Sequence, residues 1–430
     1  MPSPLKGYAW CEVAIGLLAL LIPFECSLLT HIAAALYPSL HELPLLYSGV
    51  RFLLTFLVIG PPCFLMGGTF PLLVRHFAGA GALGPVAGWL YAVNTGGAAL
   101  GCYLAGFHLL PWLGLSGTNA LAASLNLAIA RAAFALARRL PVTPGSSLPE
   151  PEVATSPGPR PAALYAAAAL TGLAALLLQM VWTRHLCVML GGSTYALSAT
   201  LVVILLGIGL GALLFRAVIP QLPNPAVAAA GSLALLVLAA GATRLLIHPL
   251  TIAVGLSKEL RSMSLGNAAV CLAASAALEL LPSLCMGFNF PLLVHLTKRS
   301  AADAGRAVGT VYAWNSSGSI LGAAATAPVG LALLGSAWTM AVGLSLYLVS
   351  ALLLLPKRGR GALPALVAVV LVSVAGISLG ATRLDPRLTD QGMYLYGYRD
   401  PERRAVVYFK EGASCNVAVT GHDIDRALSV

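Results

Sequence analysis

Long apolar segments dominate the chain, and the polar residues fall mainly between them. Residues 86–130 and 186–215 contain no Asp, Glu, Lys or Arg. A transmembrane helix needs about 20 consecutive apolar residues, so these runs are long enough for two spans and one span. Neither run alternates apolar and polar residues in the way a membrane β-barrel requires. The pattern therefore predicts an all-α polytopic membrane protein.

The ends of the apolar segments predict eleven transmembrane helices. The predicted spans are 8–30, 46–74, 86–110, 115–137, 162–182, 189–215, 226–250, 266–296, 306–334, 336–355 and 362–382. The second span is long and contains Pro61, Pro62 and Pro71, which predicts one kinked helix rather than two. A secretory signal is the alternative for residues 14–24, but Glu12 and Glu25 bracket that run and no small-x-small cleavage site follows. A retained helix is favoured.

One stretch of about forty residues occurs twice, at 62–101 and at 282–322. Both copies contain MG-x-x-FPLLV, followed by a Gly, then YA-x-N and two further glycines. Shared apolar composition would not place Pro, Tyr, Asn and Gly in the same register, so the chain consists of two related halves. Six predicted helices lie between equivalent positions, and an even number preserves direction. We therefore predict parallel repeats related by an axis along the membrane normal.

The repeat and the composition divide the chain into segments. We assign residues 1–140 to a first transmembrane repeat of four helices and residues 162–356 to a second repeat of six. Between them, residues 141–161 are rich in proline and form an extended linker. Residues 357–382 supply an additional transmembrane helix.

Residues 383–430 have the charge density of a soluble protein. The alternating runs 405–409 and 416–420, separated by Lys410-Glu411-Gly412, predict a β-hairpin. Because two strands alone are marginally stable in water, we interpret this segment as the start of a β domain. Eleven crossings from a cytoplasmic N-terminus would place it outside the cell. Lys357, Arg358 and Arg360 before the last predicted span favour that side, and a cytoplasmic tail, with one span miscounted, is the alternative.

Composition and charge restrict the partners. With 58% hydrophobic and 9% charged residues and a mean hydropathy of +0.87, the chain has too little polar surface for a water-soluble globule of this length. The basic residues collect on the predicted cytoplasmic side, for example at Arg138, Arg139 and Arg358. Topology and anionic lipid thus explain the net charge of +10, and no nucleic acid is required. The predicted partner is a lipid bilayer, of the bacterial plasma (inner) membrane type.

Several of these pieces together resemble one family of membrane proteins. They are the stretch from Gln179 to Leu186, Leu190-Gly-Gly-Ser-Thr-Tyr-Ala, Leu205-Leu-Gly-Ile-Gly-Leu-Gly211, both repeated blocks, and Tyr408-Phe-Lys-Glu-Gly412 with Val417-Ala-Val. In order and content they are similar to proteins in which a major-facilitator-like helical region is fused to a spermidine synthase (polyamine aminopropyltransferase) domain.

The resemblance implies that the tail is the N-terminal β part of an incomplete synthase-like domain. Gln179 departs from the family, which usually has an acidic residue there. The family's glycine-rich acidic loop and the aspartates that act on the amine do not occur in residues 1–430. The resemblance therefore implies no catalytic residues and no cofactor in this chain. Decarboxylated S-adenosylmethionine is expected only where the synthase domain is complete.

Other chemistry has weaker support. The glycines at 207, 209 and 211 imitate half of a dinucleotide fingerprint but lie in an uncharged membrane run, which favours close helix packing. The eight cysteines and eight histidines are scattered without metal-ligand spacing, so we predict no metal site.

The candidate substrate-binding residues are polar side chains at membrane depth: Glu279, Asn94, Asn315, Tyr91 and Tyr312. Asn94 and Asn315 occupy equivalent repeat positions, and each follows a tyrosine by three residues. An interhelical hydrogen bond is the structural alternative for the asparagines, and a paired or protonated carboxyl is the alternative for Glu279. Repeat-related polar groups near interrupted helices are typical of transporter sites.

Two functions of different class remain. In the first, the helical region carries or binds a small polyamine-like solute. In the second, it anchors and regulates an attached aminopropyltransferase domain. One buried carboxylate cannot neutralise a triamine, which counts against transport of a free polycation.

Overall fold

The computed structural model describes residues 3–77, 83–139, 159–257, 265–297, 304–355, 362–382, 385, 405–412, 416–422 and 425–429. Helices account for nearly all of this part of the chain. They are α1 Pro4–Leu40, α2 Pro44–Phe77, α3 Leu83–Leu104, α4 Leu110–Arg139, α5 Pro161–Leu190, α6 Thr194–Val218, α7 Pro225–Leu256, α8 Leu265–Thr297, α9 Ala304–Ala325, α10 Gly335–Leu354 and α11 Ala362–Gly380. Of the predicted linker 141–161, only the last three residues are described.

Eight helical stretches in the described residues are long and apolar enough to cross a membrane. Two of them are continuous over 51 residues, Trp89–Arg139, and 49 residues, Arg306–Leu354. A shorter apolar helix follows at Pro364–Gly380. This architecture confirms a helical, multi-pass membrane protein, whereas the number of eleven crossings stays a prediction.

The two longest stretches contain the same kind of break at equivalent repeat positions. In each, an α-helix passes into a π-helix, at Ala105–Leu109 and at Thr326–Leu334. Gly114 and Gly335 then have φ values of 66° and 75°, with ψ near 180° in both. These two glycines are separated by the same number of residues as Asn94 and Asn315. Only glycine adopts this backbone conformation readily, so the residue type is required at both breaks.

The prolines of the repeated block lie inside continuous helices. Pro61, Pro62 and Pro71 are all within α2, and Pro282 and Pro291 are within α8. The prediction of one helix through the double proline is therefore confirmed. Proline lacks the N–H that would bond to the preceding turn, and such positions bend helices.

Contacts divide the chain into two units, Met1–Leu90 with His108–Glu150, and Tyr91–Phe107 with Pro151–Val430. In the first unit, α1 packs against α2 and α4. Leu5 and Ala9 of α1 and Ala133 of α4 form its small buried core. The Asn119 side-chain amide donates to the carbonyl oxygen of Ala19 at 2.7 Å and fixes α4 against α1.

The second unit is held together by helices whose backbones touch. A Cβ on Gly211 of α6 would overlap the carbonyl oxygen of Leu284 on α8. Reciprocally, a Cβ on Gly287 of α8 would overlap the carbonyl oxygen of Ile208. Small residues allow this approach, and membrane helices associate through such close packing. The interpretation of the glycines at 207 to 211 as a packing element is confirmed.

The start of α7 shows how a polar residue defines a helix end. Asn224 precedes Pro225, and its Oδ1 accepts hydrogen bonds from the backbone N–H groups of Ala226 and Val227 at 3.1 and 3.2 Å. An N-cap of this kind satisfies backbone donors that have no partner inside the helix, and proline is suited to the first helical position.

We expect Asn224→Ala to lower the free energy of unfolding by about 1 kcal/mol, because both capping bonds are lost. Asn224→Asp keeps an acceptor at the same position and should retain most of the stability. Thermal unfolding of the two variants in the same detergent measures the difference. Equal losses in both variants would contradict a capping role.

The tail contains a small antiparallel sheet of three strands in the order β1, β2, β3, with bounds Ala405–Glu411, Asn416–His422 and Asp425–Ser429. Phe409 pairs with Ala418 and Glu411 pairs with Asn416. The predicted hairpin is confirmed. The third strand, at 425–429, was not predicted because its residues Asp-Arg-Ala-Leu-Ser lack a β-branched alternating pattern.

Candidate functional site

A cavity in the second unit brings together polar and aromatic side chains from five helices. Its volume is about 110 Å³. That is enough for several waters or a small organic group. The residues that line it and have polar or aromatic side chains are Tyr91, Thr171, Asn289, Phe290, Asn315 and Tyr347.

Asn289 of α8 is the best-defined polar group on the cavity wall. Its amide nitrogen donates to Ser232 Oγ at 2.6 Å and to the carbonyl oxygen of Cys285 at 3.0 Å, so the orientation of the amide is fixed. The side chain is 3% exposed, and its Oδ1 has no hydrogen-bond partner in the described part of the chain. A buried acceptor left in this state costs about 1–3 kcal/mol. A bound molecule that donates a hydrogen bond would remove that cost.

Tyr347 of α10 places a second polar group without a described hydrogen-bond partner on the same wall. The residue is 1% exposed, and its hydroxyl makes no hydrogen bond to any described residue. A phenol hydroxyl can donate and accept, and buried tyrosines usually find a partner. Two buried polar groups on one cavity wall, both lacking partners among the described residues, make this wall the candidate binding site.

Aromatic rings form another side of the cavity. Tyr91 stacks on Phe290 with ring centroids 5.3 Å apart and an interplanar angle of 16°. Tyr312 meets Phe290 edge to face, with centroids 6.1 Å apart at 86°. Rings of this kind present negatively polarised faces to a cation.

The sequence-predicted residues are distributed unequally around the cavity. Tyr91 and Asn315 line the cavity. Tyr312 is 42% exposed and does not line it, but its ring packs against Phe290, which does. The Asn315 amide donates to the carbonyl oxygen of Ala168 at 3.1 Å, an interhelical bond to α5. Asn94, its repeat equivalent, is exposed on α3 and is not among the lining residues.

Glu279 is wholly buried, at 0% exposure, but does not line the cavity. It precedes Met286, a lining residue, by seven positions on α8, which corresponds to about 10 Å along the helix. Glu279 is therefore too far from the cavity to contact a molecule that fits inside it.

Sequence reasoning missed Asn289, Tyr347 and Thr171. Asn289 occupies a variable position of MG-x-x-FPLLV, where the first copy has Thr69, so a polar residue at this position in both copies was an available signal. Tyr347 was visible as a tyrosine within an otherwise apolar helix. Thr171 donates to the carbonyl oxygen of Ala168 at 3.0 Å, as many helical threonines do, and carried no distinguishing signal.

A second polar cluster connects the helix ends with the tail. His185 Nδ1 lies 2.7 Å from the carbonyl oxygen of Val181 and donates to it, which leaves Nε2 to accept from Arg244 Nη1 at 3.2 Å. Arg244 Nε and Nη2 both donate to the carbonyl oxygen of Thr382, at 3.2 and 2.7 Å. The guanidinium thus joins α5, α7 and the second residue after α11.

Glu411 of β1 completes this cluster on the sheet side. Its carboxylate accepts hydrogen bonds from the backbone N–H and, at 3.0 Å, from the hydroxyl of Ser336 at the start of α10. Negative charge is favourable at a helix N-terminus, where backbone donors lack partners. The sheet is therefore attached to the end of a membrane helix by a charged cap.

These features define the class: a multi-pass integral membrane protein with a partly polar cavity among its helices and a small sheet fixed to their ends. No protein-family model, curated protein or solved structure matches the chain. Within the described residues, no group of three or more His, Cys, Asp or Glu could hold a metal ion.

Proposed function

We propose that the helical region binds a small amine of the polyamine type, as the transporter-like membrane part of a protein related to the spermidine synthase fusion family. The observation that carries the proposal is the pair of buried groups without partners, Asn289 Oδ1 and the Tyr347 hydroxyl, on the wall of one cavity.

An amine fits the chemistry of these groups. A protonated amine offers several N–H donors and no acceptor, which complements an amide oxygen and a phenol oxygen. Its charge would be stabilised by the faces of Tyr91 and Phe290. Ile208, Leu233 and Leu293 supply the apolar part of the wall, against which an aliphatic chain would pack.

The size of the charge that the cavity accepts is limited. No carboxylate is among the described residues that line it. Burying an ammonium without a counter-charge is costly, and each further ammonium adds to the cost. The preferred solute therefore carries one ammonium inside the cavity, with any other amine neutral or outside it.

Eleven crossings in two parallel, major-facilitator-like repeats are part of the same proposal. Support comes from the equivalent breaks at Gly114 and Gly335, since a straight helix of about 50 residues would be roughly 75 Å long, against a bilayer core of about 30 Å. Counting each long stretch as two spans, and α11 as one, gives the proposed number.

We expect Asn289→Leu to weaken binding of putrescine or spermidine about 10- to 100-fold, because a hydrogen bond to a charged donor contributes about 1.5–3 kcal/mol. Isothermal titration of the purified full chain in detergent measures the affinity. Asn94→Leu is the matched comparison, since Asn94 is exposed and outside the cavity lining. Its affinity should be unchanged. Equal affinity of Asn289→Leu and the unmodified chain, or no binding of any amine, would overturn the proposal.

A second candidate function is supported by the attachment of the tail. The hydrogen bonds that Ser336 donates to Glu411 and that Arg244 donates to Thr382 fix the sheet and the segment after α11 to the helix ends. Such a fixed connection suits a membrane anchor for an aminopropyltransferase-type domain. Uptake of labelled amines into proteoliposomes separates the two functions, because an anchor would bind or position without accumulating solute.

A further inference from the structure

Glu279 is a buried ionisable residue that the proposed function leaves unused. Both of its carboxylate oxygens are buried and have no hydrogen-bond partner among the described residues. Ser275, one helical turn earlier on α8, also has a buried hydroxyl without a partner there. Ser283, one turn later, donates to the backbone carbonyl of Glu279 at 2.6 Å and so does not reach the carboxylate. Three buried oxygens without partners thus lie along one face of α8.

This face of α8 points toward α6. Ser283 and Leu280 are the residues that a Cβ on Gly207 would meet, and Gly211 meets Leu284 one turn further along both helices. The two helices therefore run in the same direction and touch through their backbones directly beyond Glu279. One turn earlier, the α6 residue level with Glu279 is Val203, which is buried and apolar. At the level of Glu279, α6 therefore has an apolar residue, which cannot stabilise a negative charge.

Among the described residues, no basic group pairs with the Glu279 carboxyl group. The helices that pack against α8 carry six basic side chains: Arg184 and His185 on α5, Arg216 on α6, Arg244 and His248 on α7, and Arg306 on α9. None of them reaches the Glu279 oxygens in the described structure. Arg244 is bonded to His185 and Thr382 instead. On α8 itself, His295 follows Glu279 by sixteen residues, which corresponds to about 24 Å along the helix, and the Cys271 thiol donates to Asn267 Oδ1.

The number of oxygens without partners distinguishes a proton from a metal cation as the ligand of this site. A hard metal cation takes about six or more oxygen ligands, and only the two carboxylate oxygens and the Ser275 hydroxyl are without partners here. A proton needs no coordination shell and no cavity. An ionisable group inside a membrane bundle is typical of proton pathways.

We propose that Glu279 is a proton-binding site whose occupancy controls the contact between α6 and α8. With the proton bound, the carboxyl group is neutral, which allows α6 and α8 to pack as closely as they do in this structure. Loss of the proton to water leaves a carboxylate that requires hydration, and α6 separates from α8 to admit water. The inference does not depend on amine binding, because the site lies outside the cavity.

Infrared spectroscopy of the full chain tests the protonation state directly. The difference spectrum between the unmodified protein and Glu279→Gln at pH 7 should contain one carboxylic acid C=O band that belongs to the unmodified protein. A pair of carboxylate bands in its place would overturn the proposal. If Glu279→Gln does not fold, Glu279→Asp retains a carboxyl group, and its acid band should appear at a shifted frequency. An unshifted spectrum would equally overturn it.

Labelling of Ser275→Cys tests the separation of the helices. In a chain whose native cysteines are replaced, a water-soluble maleimide should react at pH 9 about tenfold faster when Glu279 is present than in the Glu279→Gln background, and equally slowly in both at pH 6. Both backgrounds are compared at the same pH, so the increase in thiol reactivity with pH is common to them and does not affect the ratio of rates. Equal rates in the two backgrounds at pH 9 would show that ionisation does not open the contact, against the proposal.

Discussion

Gly211→Ala is expected to lower the free energy of unfolding by about 3 kcal/mol and to reduce the yield of folded protein in detergent. The added methyl group would overlap the carbonyl oxygen of Leu284, a backbone atom that cannot rotate away, so α6 and α8 must move apart. Overpacking of this kind typically costs about 1–3 kcal/mol, and more where backbone must shift. Thermal unfolding followed by circular dichroism gives the measurement.

Gly231→Ala is the matched control, since Gly231 is also helical but a Cβ there would meet nothing within 4 Å. Replacing a helical glycine with alanine in open space should leave stability unchanged or raise it by up to about 1 kcal/mol. Similar destabilisation by both substitutions would mean that the backbone contact between α6 and α8 is not what makes Gly211 necessary.

Arg244→Lys is expected to cost about 2 kcal/mol and to free the segment that follows α11. Arg244 is 3% exposed, and its planar guanidinium bonds the Thr382 carbonyl twice and His185 once. A lysine ammonium cannot reproduce that fork, so at least one buried acceptor loses its partner. Limited proteolysis should cleave the chain after α11 faster in the variant.

The comparison for this prediction is Arg131→Lys. Arg131 is exposed on α4, and the same exchange there should change neither stability nor the cleavage rate. If Arg244→Lys also leaves the cleavage rate unchanged, the bonds to Thr382 do not hold the tail in place.

The sequence predicted the helices well because the signal is local. Three features that identified the helices depend only on neighbouring residues. They are the length of each apolar run, the position of Pro61 and Pro62 within one run, and the boundary between 306–334 and 336–355. Even the breaks were marked, since the structure places positive-φ glycines at Gly114 and Gly335, at or within a few residues of the predicted span ends. The continuous π-helical connection before each glycine was not predicted, because its hydrogen bonds do not follow from apolar length.

The site was less accessible to sequence reasoning because it depends on contacts between distant segments. Asn94 and Asn315 have nearly the same local sequence, yet only Asn315 has a described bond to Ala168 and lines the cavity. Whether Asn289 Oδ1 or the Tyr347 hydroxyl finds a partner is likewise a property of the packed helices. A local pattern identifies polar residues in a membrane segment but not which of their atoms remain unsatisfied.

The matching breaks at Gly114 and Gly335 also carry historical information. Two segments that arose separately would have no reason to share a π-helix followed, in the same register, by a glycine in one uncommon backbone conformation. The simplest origin is a gene duplication in which the ancestral unit already contained this break. The bend is then older than the joining of the two halves, and differences between them, such as Asn289 where the first copy has Thr69, were acquired afterwards.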